Sequence, residues 1–398
     1  MQNLTMAVAS KAAQVPTGIM GIGFDTDESY VSNTNSKPYP NIIDVMVQQK
    51  LINTRAYSLY LDDLEANTGA VLFGGYDTAK YTGELTLLDI QPDAQSGTLS
   101  SFTVVWSLMA VTDTTGTTII NQNDFPLPAV LDSGTTLTIV PENMFNELAS
   151  YFGATNTQEY GYLVNCSNAA WNGSIDYGFG GPGGPIISVP FSELALPTYD
   201  TSGNPLQFQD GTAACSFGLD SAAAGTPILL GDTFLRSAYV VYDLDNKQVA
   251  IANSAWNKAA SNIVPIMAIG NNGSAGVTAA SSAMDVSVTQ TASGVVAPGG
   301  GGFGGNGTGT GAVEATSSAE ISQINGVTTS LSLGGLGAHG ITNTAQLNPS
   351  ATATGTASST SSAAASALIV PAAGRSGLLI CVITALGMLG GVAVMMTF

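Results

Sequence analysis

Short apolar or alternating runs recur through the first 258 residues and are separated by Gly, Asp and Asn, a pattern that predicts short β-strands joined by turns. Helical periodicity is confined to NIIDVMVQQKLI (41–52) and ENMFNELASYF (142–152). Many strands and few helices predict an all-β barrel-like or sandwich fold. The clearest strand candidates are RAYSLYL (55–61), GAVLFGGY (69–76), GELTLLDI (83–90), FTVVWSLMAV (102–111), YVVYDL (239–244) and KQVAIANS (247–254). The first helix is expected to bury one face made of Ile42, Ile43, Val45, Met46 and Leu51.

From about residue 259 to 370 this pattern disappears. GGGGFGGNGTGTG (299–311) and SATATGTASSTSSAAASA (350–367) have no apolar period and almost no charge. Such segments bury too little surface to offset the entropy of ordering the chain, which favours a flexible, O-glycosylated stalk.

The last segment, residues 371–398, ends in a 22-residue run without a charge, GLLICVITALGMLGGVAVMMTF (377–398). One interpretation is a retained membrane-spanning helix. Small residues at 361–366, a spacer and a hydrophobic end favour a GPI-attachment signal instead, because no basic residue follows the run. The start, MQNLTMAVASKAAQV, lacks the pattern of a secretory signal peptide, so we expect that the natural chain begins further upstream.

Charge and histidine content exclude several function classes. The chain carries 9 Lys and Arg against 28 Asp and Glu, a net charge of −19, which disfavours nucleic-acid binding. The one histidine, His339, lies in the stalk, so neither a Ser-His-Asp site nor an HExxH metal site is available. Hydrolytic chemistry here should use carboxylates, and no metal or organic cofactor is implied.

The cysteines and sequons favour the secretory route. Cys166 and Cys215 lie in the strand-rich region, where they would form a disulfide in a secreted protein or remain buried thiols in a cytosolic one. The third, Cys381, lies in the hydrophobic tail. Five N-x-[ST] sequons are candidate glycosylation sites: Asn3, Asn165, Asn172, Asn272 and Asn306.

The segment AVLDSGTTLTIVP (129–141) carries the main chemical signal. Two carboxylates that share a proton can hydrolyse a peptide bond, because one takes a proton from water while the other polarises the carbonyl. Each aspartate needs a glycine for the turn and a hydroxyl group to orient it. Asp132, Ser133, Gly134 and Thr135 supply these pieces for one aspartate.

This segment resembles the second active-site motif of pepsin-like aspartic endopeptidases. The resemblance extends over about residues 2–256, through GIMGIGF (18–24), SLYLDDLEANTGAVLFGGYDTAKYTGEL (58–85) and PILLGDTFLRSAYVVYDLDNKQVAIA (227–252). Cys166 and Cys215 match the usual disulfide of that family's C-terminal lobe. The stalk and tail resemble those of fungal, GPI-anchored, yapsin-like members.

The resemblance implies a role for each matching residue. Asp132 would be the catalytic aspartate of the C-terminal lobe, and the Ser133 hydroxyl would bond across the lobe interface. Gly134, Thr135 and Thr136 would form the substrate-binding side of the loop. Gly134 would permit the turn, Thr135 would hydrogen-bond the outer carboxylate oxygen, and Thr136 would face the substrate backbone. Two threading segments would support the two active-site loops: Leu229, Leu230 and Gly231 under this one, and Ile19, Met20 and Gly21 under the other.

The first active-site motif of the family is missing from this sequence. Five Asp-Thr dipeptides occur, at Asp25, Asp77, Asp113, Asp200 and Asp232, but none continues as Asp-Thr-Gly. Asp232 stands where the family carries a non-catalytic aspartate. The tyrosine-bearing flap is also absent. We therefore expect an N-terminally truncated chain that is inactive alone.

The expected architecture is a bilobal, pepsin-like acid protease with a complete C-terminal lobe and part of the N-terminal lobe. Residues 1–66 would be the N-lobe remnant, 67–258 the lobe-junction sheet and catalytic lobe, 259–370 the stalk and 371–398 the tail.

The expected function is an extracellular, cell-surface aspartic endopeptidase, a monomer that acts on protein or peptide substrates at acidic pH. Two alternatives stay open. One is an inactive cell-wall or binding protein on a partial protease scaffold, and the other is a homodimer that pairs Asp132 from two chains.

Overall fold

The computed structural model describes residues 4–5, 20–27, 37–66, 68–94, 96–200, 202–223 and 225–267, the short stretches 276–277, 281–283 and 286–288, and the strand backbones at 331–332, 379–385 and 394–395. In this part of the chain three α-helices are present: α1 (Ile42–Gln48), α2 (Glu142–Phe152) and α3 (Asp232–Leu235). Strands dominate, which confirms the all-β prediction.

The strands are numbered in chain order. Those before α2 are β1 (Ala56–Tyr60), β2 (Thr68–Phe73), β3 (Gly75–Asp77), β4 (Tyr81–Asp89), β5 (Thr103–Asp113), β6 (Gly116–Ile119), β7 (Leu127–Leu131) and β8 (Thr138–Pro141). Those between α2 and α3 are β9 (Thr155–Thr157), β10 (Gly161–Asn165), β11 (Gly173–Phe179), β12 (Ile186–Pro190), β13 (Ala195–Pro197), β14 (Ala214–Phe217), β15 (Leu219–Ala222) and β16 (Ile228–Leu230). Those after α3 are β17 (Ala238–Asp243), β18 (Gln248–Ser254), β19 (Ile263–Pro265), β20 (Ser281–Ser282), β21 (Leu331–Ser332), β22 (Leu379–Ala385) and β23 (Val394–Met395).

Two large sheets organise these strands. The first has the order β20-β4-β18-β17-β1-β2-β22-β23. The second has the order β12-β11-β5-β7-β16-β8-β15, with β6 paired to β5 and β21 to β6. A smaller sheet, β13-β14-β10-β9, lies beside the second, and β19 pairs with β3. Most strand pairs are antiparallel. In the parallel pairs β7–β16 and β8–β15, the two strands are far apart in the sequence, and several other elements lie between them in the chain.

The central strands of the first sheet, β1 and β17, are buried on both faces, and their side chains alternate between two apolar layers. In β1 and β17, Tyr57 and Tyr242 point into the main core, whereas Tyr60 and Tyr239 point into a second apolar layer. Ile266, which follows β19, is fully buried in that second layer. The first residues of the segment predicted to form the stalk therefore pack against this sheet.

One of the two predicted helices has the predicted bounds and the other is shorter. Helix α2 has the predicted bounds: it starts directly after Pro141 and ends at Phe152, before Gly153, whose φ of 65° lies in the left-handed region favoured by glycine. Helix α1 is shorter than predicted: it ends at Gln48, and Lys50 has a φ of 58°. Leu51 was predicted to be buried with the apolar face and is instead exposed, because the chain has left the helix before reaching it.

The predicted disulfide is confirmed. Cys166 and Cys215 are bonded, with their Cα atoms 5.1 Å apart. The bond joins the end of β10 to β14, which are already neighbours through the antiparallel pair Val164–Cys215. The disulfide therefore cross-links two neighbouring strands of the small sheet, and its Cys215 is buried in the main core.

The hydrophobic tail was predicted to be a GPI signal or a membrane helix. In the described residues no helix is both long and apolar enough to cross a membrane. Residues 379–385 of the tail form β22, which pairs antiparallel with β2. Most of residues 268–370 lie outside the described part of the chain, so the predicted stalk stays a prediction.

Candidate active site

The loop that carries Asp132 connects β7 to β8, and a third strand lies between these two. Strand β16 runs parallel to β7 and antiparallel to β8, so Leu230 is paired with both Leu131 and Thr138. The Asp132 N–H donates to the Leu230 carbonyl at 3.1 Å, which extends the β7–β16 ladder by one residue. The backbone position of Asp132 is therefore set by β16, and Leu229 and Leu230 lie where the sequence predicted a supporting segment.

Gly231 follows β16 at the point where the chain passes closest to the loop. A Cβ atom there would collide with the carbonyl oxygens of Thr135 and Leu137. Those atoms belong to the backbone, so the neighbours cannot rotate away. The inserted strand can lie this close to the Asp132 loop only because residue 231 has no side chain.

The Asp132 carboxylate is oriented by its own loop. The Gly134 N–H donates to Asp132 Oδ1 at 2.9 Å, and the Thr135 hydroxyl donates to Asp132 Oδ2 at 2.6 Å. Asp132 is half-buried and Gly134 is exposed, so the carboxylate lies at the surface of the lobe. Each oxygen retains acceptor capacity after these bonds. The group is fixed in place and still accessible to water or substrate.

Helix α3 holds the far side of the same loop. The Asp232 N–H donates to the Thr135 carbonyl at 2.8 Å, and the Thr233 N–H donates to the Thr136 carbonyl at 3.2 Å. Both donors belong to the first turn of α3, where backbone N–H groups lack partners within the helix. The loop satisfies them, so helix and loop form one hydrogen-bonded unit.

The Asp232 side chain is a second carboxyl group close to Asp132, and only 3% of the residue surface is exposed. Burial raises the pKa of Asp232 to about 8; the nearby Arg236 guanidinium opposes this rise, and the negative charge of Asp132 adds to it. At acidic pH Asp232 is therefore neutral. The sequence identified it only as a family position, because nothing local to the sequence reports its burial.

An aromatic cluster lies in the core on the side of the sheet that faces the loop. Tyr57 and Tyr242 stack with ring centroids 4.7 Å apart, and Phe102 meets Tyr242 edge-on at 4.5 Å. Burial raises the pKa of Tyr242, and the charges of Asp132 and Asp232 act in the same direction. The Tyr242 hydroxyl has no hydrogen-bond partner among the described residues. The sequence contained no signal for this cluster beyond strand periodicity.

The GIMGIGF segment packs against the same core. Its residues Met20, Ile22 and Phe24 are partly buried there, and the Phe24 ring lies 5.0 Å from that of Phe102. Gly21 is exposed and has open space where a Cβ would stand. Ile19 lies outside the described residues. The predicted role of this segment in supporting a second active-site loop stays a prediction.

Two other predicted site residues lie in the Asp132 loop. The side chains of Ser133 and Thr136 are half-buried and make no hydrogen bond within the part of the chain that the structure describes. Their hydroxyls are available to groups outside it. Their predicted roles, at the lobe interface and toward substrate, stay predictions.

Two of the five predicted glycosylation sites lie in the described residues. Asn172 is exposed, whereas the half-buried Asn165 side chain accepts from the Ser167 N–H at 2.9 Å. Asn3, Asn272 and Asn306 lie outside the described residues. In the described ranges no group of three or more His, Cys, Asp or Glu side chains could hold a metal ion.

The raised pKa of Asp232 predicts that the lobe loses stability as the pH rises. An aspartate titrates at about 3.9 in an unfolded chain, so between about pH 4 and pH 8 the folded state binds one more proton than the unfolded state. The free energy of unfolding should fall across this window by up to about 1.4 kcal/mol per pH unit. Asp232→Asn, which is neutral at every pH, should remove the contribution of Asp232 to this slope in urea unfolding measured at several pH values, while Asp220 and Asp243, whose pKa values burial also raises, keep theirs.

The matched control is Glu159→Gln, which removes an exposed carboxyl group from the same lobe. It should retain the slope of the wild type. A slope in Asp232→Asn equal to that of the wild type would contradict the assignment of a neutral Asp232.

Comparison with known proteins places this geometry in a family. The family model described as eukaryotic aspartyl protease matches residues 2–254. A "Probable aspartic-type endopeptidase opsB" of Aspergillus fumigatus is 40% identical over 253 residues, covering 63% of this chain and 49% of its own length. "Secreted aspartic protease 8" of Candida albicans is 37% identical over 247 residues, covering 62% and 51%. The chain spans about half the length of the curated relatives it matches.

A solved structure agrees on the fold. The aspartic proteinase from Irpex lacteus superimposes with a TM-score of 0.50 over 65% of this chain and 74% of its own, at 21% sequence identity. The residues that the family model matches, 2–254, include the Asp132 loop and β16. The chain belongs to the eukaryotic aspartyl protease family.

Proposed function

We propose that this chain forms the catalytic lobe of an aspartic-type endopeptidase that hydrolyses peptide bonds in proteins at acidic pH. The observation that supports this most directly is the Asp132 carboxylate, oriented by the Gly134 N–H and the Thr135 hydroxyl at the lobe surface. A surface carboxylate held by two short-range donors on a strand-anchored loop is suited to proton transfer at a defined position.

Asp132 would act with a second carboxyl group in a water-activating pair. One member of the pair accepts a proton from the attacking water, and the other donates a hydrogen bond to the substrate carbonyl. The resulting tetrahedral intermediate collapses when the amide nitrogen receives a proton and leaves. Ser133 and Thr136, whose side chains make no hydrogen bond in the described part of the chain, would contact the partner lobe and the substrate backbone respectively.

The second carboxyl group is the missing element. Asp132 is followed by Ser-Gly, and no other aspartate in the 398 residues begins an Asp-Thr-Gly or Asp-Ser-Gly triplet. Asp232 is close by but is buried and belongs to the support of the loop. We therefore propose that residues 1–398 alone do not hydrolyse peptides and that a complementary lobe restores activity.

A complementation assay tests this proposal. The full chain would be co-expressed with the part of the Aspergillus fumigatus relative that lies outside the matched region, and peptide cleavage measured at about pH 4. The chain alone should show no cleavage that pepstatin inhibits. The co-purified complex should cleave, and Asp132→Asn should lower its rate by at least about a thousandfold.

Asp200→Asn is the matched control, because Asp200 is a carboxylate in an exposed turn of the same lobe. It should leave the rate of the complex unchanged. Cleavage that survives Asp132→Asn, or a folded complex that does not cleave at all, would contradict the proposed function.

The finer localisation is also a proposal. Relatives include a secreted protease, and the C-terminal composition of this chain has the pattern of a GPI-attachment signal. We infer an extracellular protein anchored at the fungal cell surface, glycosylated at one or more of its sequons. Release from intact cells by a phosphatidylinositol-specific phospholipase C should solubilise it. Retention on the membrane after that treatment would favour a tail helix that stays in the protein.

A further inference from the structure

Two fully buried threonines form a short chain of hydroxyl groups beneath the Asp132 loop. Thr138 and Thr233 are both 0% exposed, and their Oγ1 atoms are 2.9 Å apart. The Thr233 hydroxyl is also 2.7 Å from the Gly218 carbonyl oxygen, and the Thr138 N–H donates to the same oxygen at 3.1 Å. The two hydroxyls and this carbonyl therefore form one buried hydrogen-bonded group.

The chemistry of the acceptor fixes the direction of the hydrogen bonds. The Gly218 carbonyl can only accept, so Thr233 must donate its hydroxyl proton to it. Thr233 Oγ1 then accepts from the Thr138 hydroxyl. The chain of donors runs one way, from Thr138 through Thr233 to Gly218, and leaves no buried hydroxyl proton without an acceptor.

This hydroxyl chain joins three elements that meet behind the catalytic loop. Thr138 is the first residue of β8, directly after the loop; Gly218 connects β14 to β15; and Thr233 lies in the first turn of α3. The backbone bonds from α3 to the Thr135 and Thr136 carbonyls cross the same junction. The hydroxyl chain is thus the side-chain part of the contact that fixes the loop against the helix.

Gly218 is confined to this position. A Cβ there would lie 2.9 Å from the Leu194 Cα and would have to displace backbone. The Gly218 N–H also donates to the Leu194 carbonyl at 2.8 Å, so the residue that ends the hydroxyl chain is itself hydrogen-bonded on its other side.

We infer that Thr138 and Thr233 are positioning residues for Asp132: their one-way hydroxyl chain to Gly218 holds the catalytic loop at a fixed distance from α3. This inference rests on the proposed function only in that it takes Asp132 to be a catalytic residue. The hydroxyl chain itself can be tested by folding measurements that need no activity.

A double-mutant cycle tests the direction of the chain. Thr138→Val removes one donor and orphans nothing, since Thr233 still bonds to Gly218. Thr233→Val leaves the buried Thr138 hydroxyl without an acceptor, which costs more than the lost bond itself. We expect Thr233→Val to lower the folded-to-unfolded ratio about tenfold more than Thr138→Val in urea unfolding. The double variant should recover most of that difference, because it removes the orphaned hydroxyl.

Two further variants separate this role from general loss of packing. Thr233→Ser keeps the hydroxyl and should behave more like the wild type than Thr233→Val. Thr117→Val is the matched control: Thr117 is also buried and shares a hydroxyl bond with Thr112 at 3.0 Å, but it lies on β6, away from the loop. Additive effects in the cycle, or Thr233→Val no worse than Thr138→Val, would overturn the one-way chain.

Amide hydrogen exchange reads the positioning role directly. The Asp232 N–H crosses from α3 to the loop, so Thr233→Val should speed its exchange at least about fivefold relative to amides of β5 in the same protein. Thr117→Val should leave that ratio unchanged. An unchanged ratio in Thr233→Val would overturn the positioning role even if stability falls.

The complemented enzyme adds a kinetic measurement. There Thr233→Val should lower kcat, because displacement of the loop moves the Asp132 carboxylate away from the reacting atoms. A raised KM with unchanged kcat would contradict the inference. If the wild-type complex does not cleave, the proposed function fails, while the folding cycle and the exchange ratio still decide the hydroxyl chain.

Discussion

The insertion of strand β16 between β7 and β8 is the constraint on which the rest of the site depends. The strand pairs with both neighbours, accepts the N–H of Asp132 at Leu230 and then passes the loop at Gly231. Without β16, strands β7 and β8 would have no common hydrogen-bonded neighbour, and the loop that connects them would have no support from below. With β16 between these two strands, the Asp132 backbone is hydrogen-bonded into the sheet, and the position of the carboxylate is fixed by the sheet.

The chain after β16 completes the support within a few residues. Helix α3 begins at Asp232 and donates its first N–H groups to the loop, and Thr233 adds a buried hydroxyl bond to β8. Arg236 directly follows this helix, and its buried ion pair with Glu193, with Nε and Oε2 2.6 Å apart, holds the end of the helix. The loop is therefore held by strand, helix and side chain, while Asp132 itself stays half-buried beside the exposed Gly134.

The sequence predicted the local elements well where the signal is local. Helix α2 was bounded by Pro141 and followed by Gly153, and the strands followed their apolar runs. The α1 prediction was too long, because apolar spacing continued to Leu51 after the backbone had turned at Lys50. Composition alone suggested that order ends near residue 258, yet β19 pairs with β3 and Ile266 is buried in the second apolar layer, contacts that composition does not report.

The site was predictable only in part for a related reason. Asp132 and its loop are contiguous in sequence, so the motif is visible there. The pKa of Asp232 depends on burial by elements far away in the chain, and the Tyr57–Tyr242 stack depends on the pairing of β1 with β17, two strands that are far apart in the chain. The hydroxyl bond between Thr138 and Thr233 likewise joins residues that only the folded sheet brings together. Such properties follow from the topology of the fold and cannot be seen in any contiguous sequence motif.

The most direct test of this account is the free energy of unfolding of Gly231→Ala compared with Gly23→Ala. A Cβ at residue 231 would meet two loop carbonyls, whereas a Cβ at residue 23 would meet open space. If β16 threads under the Asp132 loop as described, Gly231→Ala should lose at least about 2–3 kcal/mol, and Gly23→Ala should stay within about 0.5 kcal/mol of the wild type. Equal, small effects of the two substitutions would contradict the central claim that the inserted strand holds the Asp132 loop.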